Sequence, residues 1–326
     1  MKRVRIVCVG SNFITDWFIE AARKSPLLDV TGILSRTAAR AEEYRAKMGL
    51  ARAFSDSDAV LADPSVDALY IATPNYAHFE LARRALLAGK HVLVEKCITE
   101  NLSDFLTLRA IAREGGLVLL EAMRPDFDAA IDALRDALPL IGTPRRASFE
   151  YCQYSSRYDA FLSGTVMNAF DPTIGNCALA DIGIYPLHIA ISLFGAPTEQ
   201  HSHSTFLSNG FEGMGEILLS YPERGFLATV VYSKITDGVR PSVIEGEAGT
   251  LTVDHISRPT KVTFLPRRGE ERVIYHDTAF SNMAAEAHAF GEMVLGLRSP
   301  EPYLDRTEAT LRTYDRVITE SGVFAR

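Results

Sequence analysis

The chain has 326 residues, 47% of them hydrophobic and 23% charged, enough for two domains with sizeable cores and too apolar for a disordered protein. A formal net charge of −7 argues against a general affinity for nucleic acid or anionic membrane. No apolar run approaches the roughly 18–20 residues of a membrane span, no signal peptide is evident, and Cys8, Cys97, Cys152 and Cys177 form no CxxC pair, so a reduced, cytoplasmic protein is expected.

Residues 4–9, VRIVCV, read as a short β-branched strand ending at Gly10, with an amphipathic helix over 13–23 behind it. Strand-like runs at 30–34, 68–72, 89–94 and 116–120 alternate with helical stretches at 37–48, up to about 88, and at 102–113. Strands this apolar are expected where helices cover both faces of a parallel sheet. Residues 1–122 therefore predict a Rossmann-like, doubly wound parallel sheet. Beyond that point the rhythm changes. A helix over 127–138 and a helical segment over 181–194 precede alternating runs at 216–220, 226–232, 250–254 and 261–264, separated by turn residues. Two helices, 283–297 and 306–321, close the chain. Residues 123–326 thus predict an α+β domain with a large, mostly antiparallel open sheet.

The first strand-to-helix turn reads Gly10-Ser11-Asn12-Phe13-Ile14, with Asn12 where the second glycine of a GxGxxG dinucleotide fingerprint would stand. Asn tolerates unusual backbone angles, so the turn can still form, although an ordinary tight turn would read the same way. At the tip of the second strand, where an NAD site places Asp or Glu, the sequence offers Ser35-Arg36-Thr37. Arg36 can stack on adenine and pair with a 2′-phosphate, which favours NADP over NAD.

Glu95-Lys96-Cys97 follows the buried run 91–94, at the carboxyl end of a strand where ligands of such sheets gather. Lys96 can donate to a substrate oxygen; the alternative is a lysine paired with Glu95. Asp181 and Tyr185 are four apart, so on a helix they share a face. With a lysine contributed from the other domain they can perform acid–base work on a carbinol or carbonyl, although such a pair is also a common structural contact. His188, three residues on, competes as proton carrier. Arg124 ends the last strand of the first domain, and Tyr154, Arg157 and Tyr158 form an aromatic, cationic segment suited to a sugar or cyclic diol, or to a subunit interface. His201 and His203 have ligand-like spacing, but no third ligand is evident and no metal is expected. The cluster 267–272 reads as a solvated hairpin turn.

Together, the Gly10 turn, Thr73-Pro74-Asn75 with His78, Gly89-Lys-His-Val-Leu-Val-Glu-Lys96 and Asp181-Ile-Gly-Ile-Tyr185 resemble the glucose–fructose oxidoreductase/inositol dehydrogenase (Gfo/Idh/MocA) family. The resemblance implies an N-terminal Rossmann domain and a C-terminal domain whose open sheet carries substrate and forms a homodimer or homotetramer face. Lys96 matches the lysine of the family's Glu-Lys-Pro motif, and Asp181 its motif aspartate. Tyr185 falls where inositol dehydrogenases carry histidine and where the dihydrodiol/xylose dehydrogenase branch carries tyrosine. The resemblance thus implies an NADP(H)-dependent oxidoreductase with Lys96, Asp181 and Tyr185 in the chemistry. Gly10–Ile14, Ser35–Thr37, Thr73–Asn75, His78, Glu95 and Lys96 would hold the cofactor. Arg124, Tyr154, Arg157, Tyr158 and His188 would face the substrate. Two departures, Asn12 and Cys97 in place of glycine and proline, leave room for a non-catalytic NADP-binding sensor of the same fold. An oxidoreductase with permanently bound NADP is a third reading.

Overall fold

The computed structural model describes residues 3–323. In chain order the first elements are β1 (Val4–Val9), α1 (Phe13–Ala22), β2 (Leu28–Leu34), α2 (Ala38–Met48), β3 (Arg52–Phe54), α3 (Ser57–Leu61), β4 (Ala68–Ile71), α4 (His78–Leu87), β5 (His91–Glu95), α5 (Leu102–Gly115) and β6 (Leu119–Ala122). There follow α6 (Ala129–Ala137), β7 (Pro144–Cys152), α7 (Tyr158–Leu162), a π-helical turn (Leu179–Gly183) and α8 (Ile184–Phe194). Strands β8 (Glu199–Phe206), β9 (Glu212–Tyr221), β10 (Phe226–Ser233), β11 (Ser242–Gly246), β12 (Gly249–Val253), β13 (Lys261–Pro266) and β14 (Arg272–His276) come next, then α9 (Asn282–Val294) and α10 (Glu301–Ser321).

The chain forms two compact units, Met1–Phe127 with Ser281–Glu308, and Asp128–Phe280 with Ala309–Arg326. The first contains a six-stranded parallel sheet in the order β3-β2-β1-β4-β5-β6. The strand order reverses between β1 and β4, which opens a crevice at their carboxyl ends. Every residue of β4 and β6 is buried, and Phe18 of α1 stacks on Tyr70 of β4 at 3.7 Å between ring centroids.

A boundary after residue 122 assigns all of residues 123–326 to the second domain; the fold brings Ser281–Glu308 back to the first unit. The cause is the apolar face of α9. Met283, Ala287, Phe290 and Met293 join the same core as Ile6, Phe18 and Tyr70. Gly291 permits the approach, because a Cβ there would stand 2.9 Å from Leu28 and 3.0 Å from Leu27.

The second unit is built on an eight-stranded sheet in the order β14-β13-β12-β11-β7-β10-β9-β8. All its pairings are antiparallel except β7 with β10, so the expected mostly antiparallel sheet is present. Burial alternates along the strands: Ala147, Phe149, Ala228 and Val230 are buried, while Arg146, Leu218 and Leu227 are exposed. Helices α6 and α8 pack on this sheet. Among the described residues no helix is long and apolar enough to cross a membrane.

Candidate active site

The turn after β1 depends on Gly10. Its φ is +102°, and a Cβ would stand 2.4 Å from the Ala72 carbonyl oxygen. Asn12 does more than tolerate the turn. Its Oδ1 accepts from the amides of Ile14 (3.1 Å) and Thr15 (3.2 Å), and its Nδ2 donates to Ala72 O at 2.8 Å. It is the N-cap of α1 and ties β1 to β4 across the switch point. The Thr15 hydroxyl donates to Gly10 O at 2.7 Å, where the third fingerprint glycine would be. Phe13 is exposed and contacts Trp17 edge-on at 5.2 Å.

At the tip of β2, Ser35 is buried while Arg36 and Thr37 are exposed, and Thr37 caps α2. Arg40 stands on the first turn of α2. Its Nε donates to Ser11 Oγ at 2.6 Å and its Nη2 to Ser11 O at 2.9 Å. The Arg40 guanidinium therefore lies against the glycine turn.

The motif Thr73-Pro74-Asn75 follows β4, with Pro74 exposed and Thr73 and Asn75 half-buried. His78 is inside: its exposure is 0%, with Nδ1 2.8 Å from Cys97 O and Nε2 2.8 Å from Thr73 O. Both partners only accept, so a neutral ring donates to one of them at a time. Burial pulls the His78 pKa below its ordinary value, and the charge of Lys96 pulls it further. Expected as a cofactor contact, His78 instead links the two loops from within. Glu95 is likewise turned inward, where its Oε1 accepts from the Tyr70 hydroxyl at 2.5 Å and burial raises its pKa.

Lys96 is half-buried directly after β5. The Lys96–Cys97 peptide is cis, and Cys97 is buried. The backbone after the lysine is held by hydrogen bonds: Cys97 O meets His78, and Ile98 N donates to Glu121 Oε1 at 3.0 Å. Glu121 also accepts from Thr307 at 2.9 Å. Arg124 is half-buried, and Glu95 and Glu286 both feel its charge.

Glu286, on α9, is fully buried, and neither carboxyl oxygen has a hydrogen-bond donor among the described residues. Burial pushes its pKa well above the carboxylate range, and Glu95 adds to the effect. An acid raised in the folded state contributes its full stability below its unfolded pKa and loses it as pH rises through the folded value. Glu286→Gln cannot ionise. Its melting temperature relative to the parent is therefore expected to climb as pH rises from about 5 to about 9. Thermal melts across that series check this; a pH-independent difference would contradict the neutral carboxyl.

In the second unit, Asp181 lies on the π-helical turn and Tyr185 on the first turn of α8. The turn is anchored by Glu212, whose Oε2 accepts from Leu179 N at 2.9 Å. Gly183 is required because a Cβ would meet the Tyr232 ring at 2.7 Å. Tyr185 is buried with its ring 6.1 Å from that of Tyr151, whereas the Asp181 side chain remains 40% exposed. Lys234, just past β10, pairs with Asp181 Oδ2 at 2.7 Å. His188 is 1% exposed and bonds to Thr310 at 3.0 Å, which makes it a packing residue of α8. Tyr154 donates to Asp159 at 2.7 Å and stands edge-on to Tyr158, while Arg157 is exposed. His201 and His203 are exposed on β8, with His201 3.5 Å from Glu320, and no metal-binding cluster occurs among the described residues.

Residues 4–123 match the model described as the Gfo/Idh/MocA oxidoreductase family, NAD-binding Rossmann fold, and residues 139–252 match the same family's C-terminal domain. The chain belongs to the Gfo/Idh/MocA family. It is 39% identical over 322 residues to scyllo-inositol 2-dehydrogenase (NADP(+)) IolU of Bacillus subtilis (strain 168), covering 98% of each chain. Identity to trans-1,2-dihydrobenzene-1,2-diol dehydrogenase of Mus musculus is 28% over 245 residues, 74% of this chain and 71% of the relative. Among solved structures it is similar to KijD10, a 3-ketoreductase from Actinomadura kijaniata in complex with NADP and TDP-benzene. That match has a TM-score of 0.86 at 25% identity and covers 98% of each chain.

As a Gfo/Idh/MocA member, the chain is an oxidoreductase whose residues 4–123 are the family's Rossmann fold. Sequence reasoning missed three residues that the fold brings to the motifs: Arg40 at Ser11, Glu121 at Ile98 and Lys234 at Asp181. Only Arg40 carried a signal. It lies one helical turn beyond Arg36 and on the same face of α2 as Thr37.

Proposed function

We propose that this oxidoreductase uses NADP(H) and moves a hydride between nicotinamide and a secondary alcohol or carbonyl carbon of a small polyhydroxylated compound, a sugar or cyclic diol. The observation that carries the cofactor assignment is the pair of guanidiniums at the β2 tip, exposed Arg36 and Arg40 bound to Ser11. Two such groups complement a 2′-phosphate, where a carboxylate would repel it. The turn suits a dinucleotide because Gly10, at positive φ and with no room for a Cβ beside Ala72, lets the chain turn sharply from β1 into α1. The Asn12 cap occupies only the amides of Ile14 and Thr15, so those of Asn12 and Phe13 are the ones offered to a phosphate. The NADP dependence of IolU agrees with this assignment.

Bound nicotinamide supplies or accepts the hydride; the protein's part is to orient the substrate and handle the proton. In this reading Gly10–Ile14, Ser35–Thr37, Arg40 and Thr73–Asn75 hold the dinucleotide. Lys96 donates a hydrogen bond to the reacting oxygen, Tyr185 carries its proton, and Asp181 orients the group. Arg124, Tyr154, Arg157 and Tyr158 contact the polyol. His188 is left out because it is buried against Thr310. We further assign the exposed face of the eight-stranded sheet to a homodimer or homotetramer contact, and the protein, with its four free cysteines, to the cytoplasm.

Trp17 provides the first test, as the sole tryptophan, 55% exposed and beside Phe13 at the start of α1. NADPH is expected to quench its emission by energy transfer. NADPH oxidation and NADP reduction are then followed across aldoses, inosose-like ketones and cyclic diols. Quenching with turnover supports the whole reading. Quenching without turnover on any compound favours the non-catalytic sensor, and no quenching refutes the cofactor assignment.

A further inference from the structure

We propose that Lys234 is the positioning residue of the Asp181–Tyr185 turn, holding the Asp181 carboxylate in one orientation and fastening the segment 155–176 to it. The inference rests on the roles assigned to Asp181 and Tyr185 above. Lys234 has only 4% of its side chain exposed, whereas Asp181, at 40%, is open to solvent and so to a substrate in this reading. The buried ammonium has three protons to place. One goes to Asp181 Oδ2 at 2.7 Å and one to Ala169 O at 2.7 Å, while the charge lies 5.0 Å and 5.2 Å from the ring centres of Phe170 and Phe211. Carboxylate, carbonyl and two π faces together make an enclosed cation site.

The contacts reach further along the aromatic segment. Phe170 stacks with Tyr158 at 5.4 Å, and Tyr158 meets Tyr154 at the same distance. Lys234 thus stands where the carboxylate meets the rings proposed to grip a polyol. A lysine at this point aligns Asp181 without occupying the space that a substrate hydroxyl needs. Its backbone is fixed as well, since Lys234 N donates to Gly213 O at 2.9 Å.

The test is a double-mutant cycle of Lys234→Met and Asp181→Asn, with Lys234→Arg as the conservative variant. Lys234→Met is expected to reduce kcat by roughly 10–100-fold, with a smaller change in KM, as for residues that orient a catalytic group. Lys234→Arg restores most of the loss. In the Asp181→Asn background, Lys234→Met adds less than about threefold, because the partner is already gone. Losses that multiply, or a rise in KM with kcat intact, would overturn the proposal and leave a simple loop anchor.

The same cycle is read in the melting temperature of the protein without ligands, where the double variant should melt higher than the two single losses added together. Strict additivity there overturns the coupling whether or not a substrate has been found. Trp17 quenching by NADPH reports that the first unit of each variant is folded, and circular dichroism reports the same for the second unit, which carries Lys234 and Asp181. If the parent binds NADPH but turns over no compound, the functional reading fails, while the melting cycle still decides the Lys234–Asp181 coupling.

Discussion

Lys96→Met is expected to lower kcat by roughly 10²–10⁴-fold, the range for a lost hydrogen-bonding or acid–base group, and to change NADPH affinity by less than about threefold. Methionine matches the apolar stem of lysine and ends one atom short of its ammonium, so most packing of the half-buried side chain is retained while its donor is removed. The backbone that follows is also held by His78 and Glu121, which the substitution leaves in place, so the loop should survive it. Steady-state kinetics with the best substrate, beside a Trp17 titration, separate the two effects. Equal losses in turnover and cofactor affinity would place Lys96 in nucleotide binding instead.

Replacing both Arg36 and Arg40 by alanine is expected to weaken NADPH binding by roughly 10²–10³-fold and NADH binding by less than about threefold. Each charge-assisted hydrogen bond to a phosphate contributes about 1.5–3 kcal/mol, and 1.4 kcal/mol is a factor of ten. The single variants divide the effect. Arg36→Ala should act on the phosphate alone, whereas Arg40→Ala also releases Ser11 from both of its hydrogen bonds. Titrations with NADPH and NADH at one fixed ionic strength measure the discrimination, since exposed guanidiniums are screened by salt. An equal loss for both nucleotides would show that the pair supports the turn and does not select the phosphate.

Much of this molecule was legible in its sequence because the signals are local. Continuous apolar runs marked β1 and β4, alternating runs marked β9 and β10, and helical stretches marked α1, α5 and both closing helices, although β9 and α10 begin earlier than expected, at Glu212 and Glu301. Gly10 announced its turn through a backbone angle that other residues rarely adopt. Asp181 and Tyr185 were found by their spacing, although the turn carrying Asp181 is π-helical, not α-helical. Short or weakly patterned elements escaped: β3 has only three residues, and β7, with Arg145 and Arg146 near its start, does not read as a central strand.

The sequence by itself determined the class of fold, the glycine turn, the basic β2 tip and the residues of the Lys and Asp/Tyr motifs, since each rests on residue type and near-neighbour spacing. Only the tertiary structure decided which groups those motifs meet. It returned α9 to the first unit because its apolar face completes that core, and it turned His78 and Glu95 inward to satisfy buried carbonyl and hydroxyl groups. It also set Arg40 against Ser11 and Lys234 against Asp181. Contacts between residues so far apart along the chain depend on strand order and close packing, and no local pattern records either one.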